Sequence, residues 1–127
     1  MLTRLRLVLD THVWLDWLVF DDPGIARIRN AVGLKRAEIF IDAAAQAACI
    51  AQCRRLSHRI DATLPEPQRA GLPRCRDPDD QKFLEAALAA RAEFLITKDR
   101  ALLYFARRRS RALPFRIVTP ASFLRNK

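Results

Sequence analysis

A chain of 127 residues, half of them hydrophobic and with only 3 glycines, has room for one domain over residues 1–127 with its own core, and this composition excludes global disorder. A net charge of +9 and a pI of about 10.7, supplied mostly by arginine, favour a polyanionic partner, because a basic surface displaces the counterions of a phosphate backbone. No apolar run approaches the roughly 18 residues that span a bilayer, and Cys49, Cys53 and Cys75, odd in number and irregular in spacing, exclude a disulfide framework, so a cytoplasmic protein with reduced thiols is expected.

Leu5, Leu7, Val8 and Leu9 make a short apolar run that stops at Asp10, the pattern of a buried strand. Val13, Leu15, Trp17, Leu18 and Phe20 then suggest a helical turn or two, before Asp21, Asp22, Pro23 and Gly24 break the chain. Ile25, Ile28 and Val32 recur at helical spacing, with Gly33 as the expected stop. Ile39, Phe40 and Ile41 read as a second buried strand, and Asp42 as the cap of a helix running from Ala43 to about Leu56. The stretch from Ile60 to Arg76 holds Pro65, Pro67 and Pro73 and reads as a long loop with a helical piece in it.

Asp77, Pro78, Asp79 and Asp80 form a strong helix start. Asp77 can cap, Pro78 suits the first helical position, and two further acids complement the helix dipole. Phe83, Leu84, Ala87 and Leu88 then share one face. Phe94, Leu95 and Ile96 make a third strand that ends at Thr97, Lys98 and Asp99, followed by a helix from Arg100 to about Arg108. Phe115, Ile117 and Val118 make a fourth strand, and a short helix after Thr119 and Pro120 closes the chain. Alternation of this kind implies an α/β fold, a parallel sheet with helices on both faces.

In open sheets of this class ligands bind beyond the carboxyl ends of the strands, where strand order reverses. Asp10 closes the first strand, Asp99 lies just past the third, and Asp80 stands three positions after a helix cap. If those two strands are neighbours, the three carboxylates can meet. Clustered carboxylates repel one another, so a cation is their natural partner at neutral pH. Mg2+ and Mn2+ prefer oxygen ligands and keep several waters, which leaves room for a phosphate. Taken singly, Asp77 reads as a cap, Asp79 as a solvent-facing acid and Asp99 equally as the cap of the helix at Arg100; it is the shared edge that favours a joint role.

The segment Leu7-Val8-Leu9-Asp10-Thr11-His12-Val13-Trp14-Leu15 resembles the opening motif of PIN domains. Asp77-Pro78-Asp79-Asp80-Gln81-Lys82-Phe83-Leu84-Glu85-Ala86-Ala87 resembles their third motif, and Phe94-Leu95-Ile96-Thr97-Lys98-Asp99-Arg100-Ala101-Leu102-Leu103 their fourth. Arg116-Ile117-Val118-Thr119-Pro120-Ala121-Ser122-Phe123-Leu124 is similar to the usual end of the family's toxin branch. The resemblance implies a three-layer α/β/α sandwich around a central parallel sheet of four to five strands. It implies a Mg2+- or Mn2+-dependent ribonuclease, the toxin of a type II toxin–antitoxin pair, acting as a homodimer with RNA as substrate and a protein antitoxin as partner. Asp10, Asp80 and Asp99 would be the metal-site acids, with Thr11, His12 and Thr97 orienting a carboxylate or water around them. Lys98, Arg100, Arg107, Arg108 and Arg109, with Arg111 beside them, would grip the RNA backbone.

Two positions depart from the family pattern. His12 stands where Asn is common, and as a hydrogen-bond donor it can serve in the same place. The helix after the second strand, where the family carries a Glu, has no carboxylate from Ala43 to Cys53. Gln46 or Gln52, as a neutral ligand, or Asp42, from the helix start, would have to stand in. That gap favours a competing reading, a PIN-fold module that binds RNA or an antitoxin without cleaving. A phosphatase of the haloacid-dehalogenase type also places an Asp after the first strand, but it wants a second Asp two residues on, where this chain has His12.

Overall fold

The apolar runs become five parallel strands: β1 (Leu5–Leu9), β2 (Ala37–Asp42), β3 (Ser57–Ile60), β4 (Phe94–Ile96) and β5 (Arg116–Val118). The computed structural model describes residues 4–45, 50–107 and 113–125. The strands form one sheet in the order β3-β2-β1-β4-β5, all pairs parallel. Helices α1 (Thr11–Leu18), α2 (Ala26–Gly33), α3 (Ala51–Leu56), α4 (Glu66–Ala70), α5 (Pro78–Ala89), α6 (Arg100–Arg107) and α7 (Pro120–Arg125) connect and close the strands.

Because successive strand residues face opposite sides, each strand feeds two cores. Leu7 and Leu9 of β1, Ile39 and Ile41 of β2, and Phe94 and Ile96 of β4 point one way, toward Val13, Trp14 and Trp17 of α1, Ile28 of α2, Cys53 of α3 and Phe123 of α7. Val8, Phe40, Leu95 and Ile117 point the other way, toward Leu84 and Ala87 of α5, Leu102 of α6, and Leu64 and Leu72 around α4. The result is the expected three-layer α/β/α sandwich. Among the described residues no helix is long and apolar enough to cross a membrane.

Local signals act where they were read. Asp77 accepts a hydrogen bond from the Asp79 N–H at 2.9 Å, and Pro78 opens α5. Gly33 is the last residue of α2, but the left-handed position after it belongs to Lys35, with φ of 60°.

Two differences from the sequence reading have physical causes. The fifth strand, β3, has exposed His58 and Arg59 at its centre, so no apolar run announces it; backbone pairing with β2 from Ile39↔Ser57 to Asp42↔Ile60 makes it. The helical piece expected in the proline-rich stretch is α4. Asp42 ends β2, and its carboxylate accepts from the Ala44 N–H at 3.1 Å, closing a turn at Ala43–Ala44. It therefore caps no helix, and the helical part that follows among the described residues is Ala51–Leu56.

Candidate functional site

From β1 the chain runs outward to β2 and β3 on one side, while β4 and β5 lie on the other. Strand order thus reverses between β1 and β4, and the space beyond their carboxyl ends is the crevice where sheets of this class bind ligands. The register Leu9↔Ile96 brings Asp10 level with the residues that leave β4, and the Asp10 N–H donates to the Ile96 carbonyl at 3.1 Å.

Asp10 is only 3% exposed, and both its oxygens are held. One accepts from the Val13 N–H at 3.0 Å, which caps α1, and the other accepts from the Thr97 hydroxyl. Burial pushes the Asp10 pKa up; the bonds from Thr97 and Val13 and the nearby His12 charge pull it back, while the negative charge of Asp99 raises it. Thr97 is fully buried, and its backbone N–H donates to the Val118 carbonyl at 2.9 Å, which anchors it to β5. The same Thr97 hydroxyl oxygen accepts from the Asp99 N–H at 2.9 Å. One side chain therefore links the carboxylate after β1 to the backbone after β4.

Asp99 is half-buried, and its carboxylate accepts from the Ala101 N–H at 2.8 Å. It caps α6 as well as facing the crevice. Asp80, half-buried in the first turn of α5, has its pKa pushed up from 3.8 to about 6. Burial is the largest cause, followed by the charge of Asp99, the charge of Asp77, a hydrogen bond with the Asp99 carboxyl, and the charge of Asp10. Burial and the charges of Asp80, Asp99 and Asp77 also push the half-buried Cys75 thiol up to about 11. Acids from three distant parts of the chain therefore act on one another across this crevice. No ion pair among the described residues involves Asp10, Asp80 or Asp99.

Among the described residues, no three His, Cys, Asp or Glu side chains converge tightly enough to enclose a metal ion. Asp80 and Asp99 meet, while both Asp10 oxygens are engaged by the protein. The donors fit a hydrated hard cation held by one or two carboxylates through waters, not a closed cage.

Thr11 and His12 are exposed in the first turn of α1, next to Asp10. Arg100 and Arg107 are exposed on α6, whereas Arg108, Arg109 and Arg111 lie outside the described residues, as do Gln46 and Cys49. Gln52 lines a separate cavity of about 320 Å³ together with Trp17, Arg29 and Arg55. The Nζ of Lys98 lies 2.8 Å from a carboxylate oxygen of Asp16 and 4.0 Å from one of Asp22, and the bond to Asp16 is the main reason its pKa rises.

Asp16 was not singled out from the sequence. It is a buried acid on the helix face that also carries Val13, Trp14 and Trp17. An acid inside Val13-Trp14-Leu15-Asp16-Trp17-Leu18 was the available signal, since a charge on a buried face requires a partner.

A family model described as PIN domain matches residues 6–101. No curated protein and no solved structure matches the chain.

Proposed function

The chain belongs to the PIN-domain family, whose members are generally metal-dependent nucleases, and from that premise we propose that it hydrolyses RNA phosphodiesters as the toxin of a toxin–antitoxin pair. The observation that carries the proposal is the gathering of Asp10, Asp80 and Asp99 at the reversal of strand order, where burial first and then the neighbouring carboxylates push the Asp80 pKa up to about 6. Such a cluster disfavours its own full ionisation and favours a bound cation.

Asp80 and Asp99 would hold Mg2+ or Mn2+, with Asp10 beside them. When bound, such an ion lowers the pKa of a water and stabilises charge on phosphoryl oxygens. Thr97 keeps the Asp10 carboxylate in one orientation and holds the Asp99 backbone in register with it. His12, exposed at the mouth of the crevice, offers a donor to a phosphate oxygen. Arg100 and Arg107, with Arg108 and Arg109 beyond them, supply positive charge for the RNA backbone. A homodimer and a protein antitoxin belong to the same reading.

The test is cleavage of a generic single-stranded RNA in Mn2+, with chelator and the variants Asp10→Asn and Asp99→Asn as controls. Cleavage by the native chain should fall by roughly 100-fold or more in each variant, the scale of losing one charge-stabilising group. Equal products from all three proteins would overturn the proposal. A second reading, an RNA- or antitoxin-binding module that does not cleave, is favoured by the absence of any carboxylate between Ala43 and Cys53. It predicts salt-sensitive RNA binding with no metal-dependent products.

A further inference from the structure

Thr97, Lys98 and Asp99 are consecutive, and each side chain is tied to a different element. Thr97 donates to Asp10 at the start of α1, and Asp99 caps α6 and meets Asp80 on α5. Lys98 reaches back along α1 to Asp16. The Asp16 side chain is 12% exposed, against 49% for Lys98, so the acid is fixed in the core and the lysine comes to it. Asp22, the second acid near Lys98, is itself held because its carboxylate accepts from the Gly24 N–H at 2.8 Å.

Two ties therefore connect α1 to the loop after β4: one from its cap, Asp10, and one from a residue six positions further on. Thr97 is already held by Asp10 and, through its N–H, by Val118 of β5, and the Lys98–Asp16 pair adds a second, separated attachment to α1 that fixes the direction in which the loop leaves. The direction matters because the next residue is Asp99. A lysine already held by one carboxylate and neighboured by a second has little reason to leave them for a phosphate.

We propose that Asp16 and Lys98 are positioning residues, an ion pair that orients the loop carrying Asp99 relative to Asp10, and that Lys98 works through this pair rather than by gripping RNA. This rests on the reading of Asp10, Asp80 and Asp99 as the working site. It also reassigns Lys98 from the RNA-contacting set that the sequence suggested.

The experiment compares Lys98→Ala, Lys98→Arg, Asp16→Asn and the double variant Asp16→Asn/Lys98→Ala. Cleavage of single-stranded RNA in Mn2+ should show kcat lowered by about tenfold to a hundredfold in Lys98→Ala and Asp16→Asn, the scale of a displacement near 1 Å. KM should barely change, the double variant should be no worse than either single one, and Lys98→Arg should recover most of the rate. The salt dependence of RNA binding, read by fluorescence anisotropy in chelator, should keep its slope in Lys98→Ala. A slope smaller by about one, as expected for a lost phosphate contact, with kcat intact in Asp16→Asn, would overturn the proposal.

If the native chain cleaves no RNA, the functional reading falls and backbone amide spectra decide the tie. Asp16→Asn, a change on α1, must shift the Thr97 and Asp99 resonances of the metal-free protein. Unmoved resonances in that variant would overturn the tie by themselves.

Discussion

Thr97 and Asp80 show how single residues set the electrostatics of the crevice. The Thr97 hydroxyl donates to Asp10 and accepts from the Asp99 N–H, so it satisfies two groups where water is scarce. Asp80 lacks such relief, and burial together with Asp99, Asp77 and Asp10 lifts its pKa from 3.8 to about 6. A carboxyl whose folded-state pKa exceeds its unfolded value contributes stability that is full below the unfolded value and lost as pH rises through the folded one. The metal-free native chain should therefore lose stability between about pH 4 and pH 7 relative to Asp80→Asn. Thermal melts in chelator check this: the Tm difference should be small at low pH, grow in the variant's favour as pH rises toward the Asp80 pKa, and level off above it. A difference constant across that range would mean that Asp80 is not crowded by charge. The identity of Asp80 was legible in the sequence, because the cap and proline before it fix its place in the first turn. The influence of Asp99 on it was not, because that depends on where the loop after β4 brings a residue from outside the helix of Asp80.

At the scale of elements, helix starts and buried strands followed local rules. β4 is three residues long and entirely buried, and its three apolar side chains announced it. α5 begins where Asp77 and Pro78 said it would. Asp77→Ala should cost about 1 kcal/mol at neutral pH, and Asp79→Ala, an exposed neighbour, only a few tenths. Urea unfolding of both variants checks the pair, and equal losses would show that the cap does not hold the helix start. β3 was missed for a physical reason: an edge strand with exposed His58 and Arg59 carries no hydrophobic signal, and its backbone partner β2 supplies what the sequence lacks. Asp42 was misjudged for a similar reason, since a carboxylate before an alanine run can serve a turn as well as a helix.

For the whole molecule, the governing quantity is negative charge gathered at one crevice on a chain whose net charge is +9. A cation that binds only the folded state stabilises it, by about 2.7 kcal/mol at one hundred times its Kd. Mn2+ should therefore raise the Tm of the native chain at neutral pH and leave Asp99→Asn nearly unchanged. No shift in the native chain would remove the ground for a metal centre at this crevice. The basic remainder of the surface should make RNA binding fall steeply with added salt.

The alternation of strands and helices, the two-faced sheet and the positions of Asp10, Asp80 and Asp99 at element ends are legible in the order of residues, because each depends on neighbours within a few positions of one another. That β1 and β4 are neighbours, that Thr97 joins Asp10 to the Asp99 backbone, and that Lys98 is taken by Asp16 emerge only once the chain is folded. Those are contacts between segments some eighty residues apart, and periodicity and capping carry no information about which distant partner a side chain will meet.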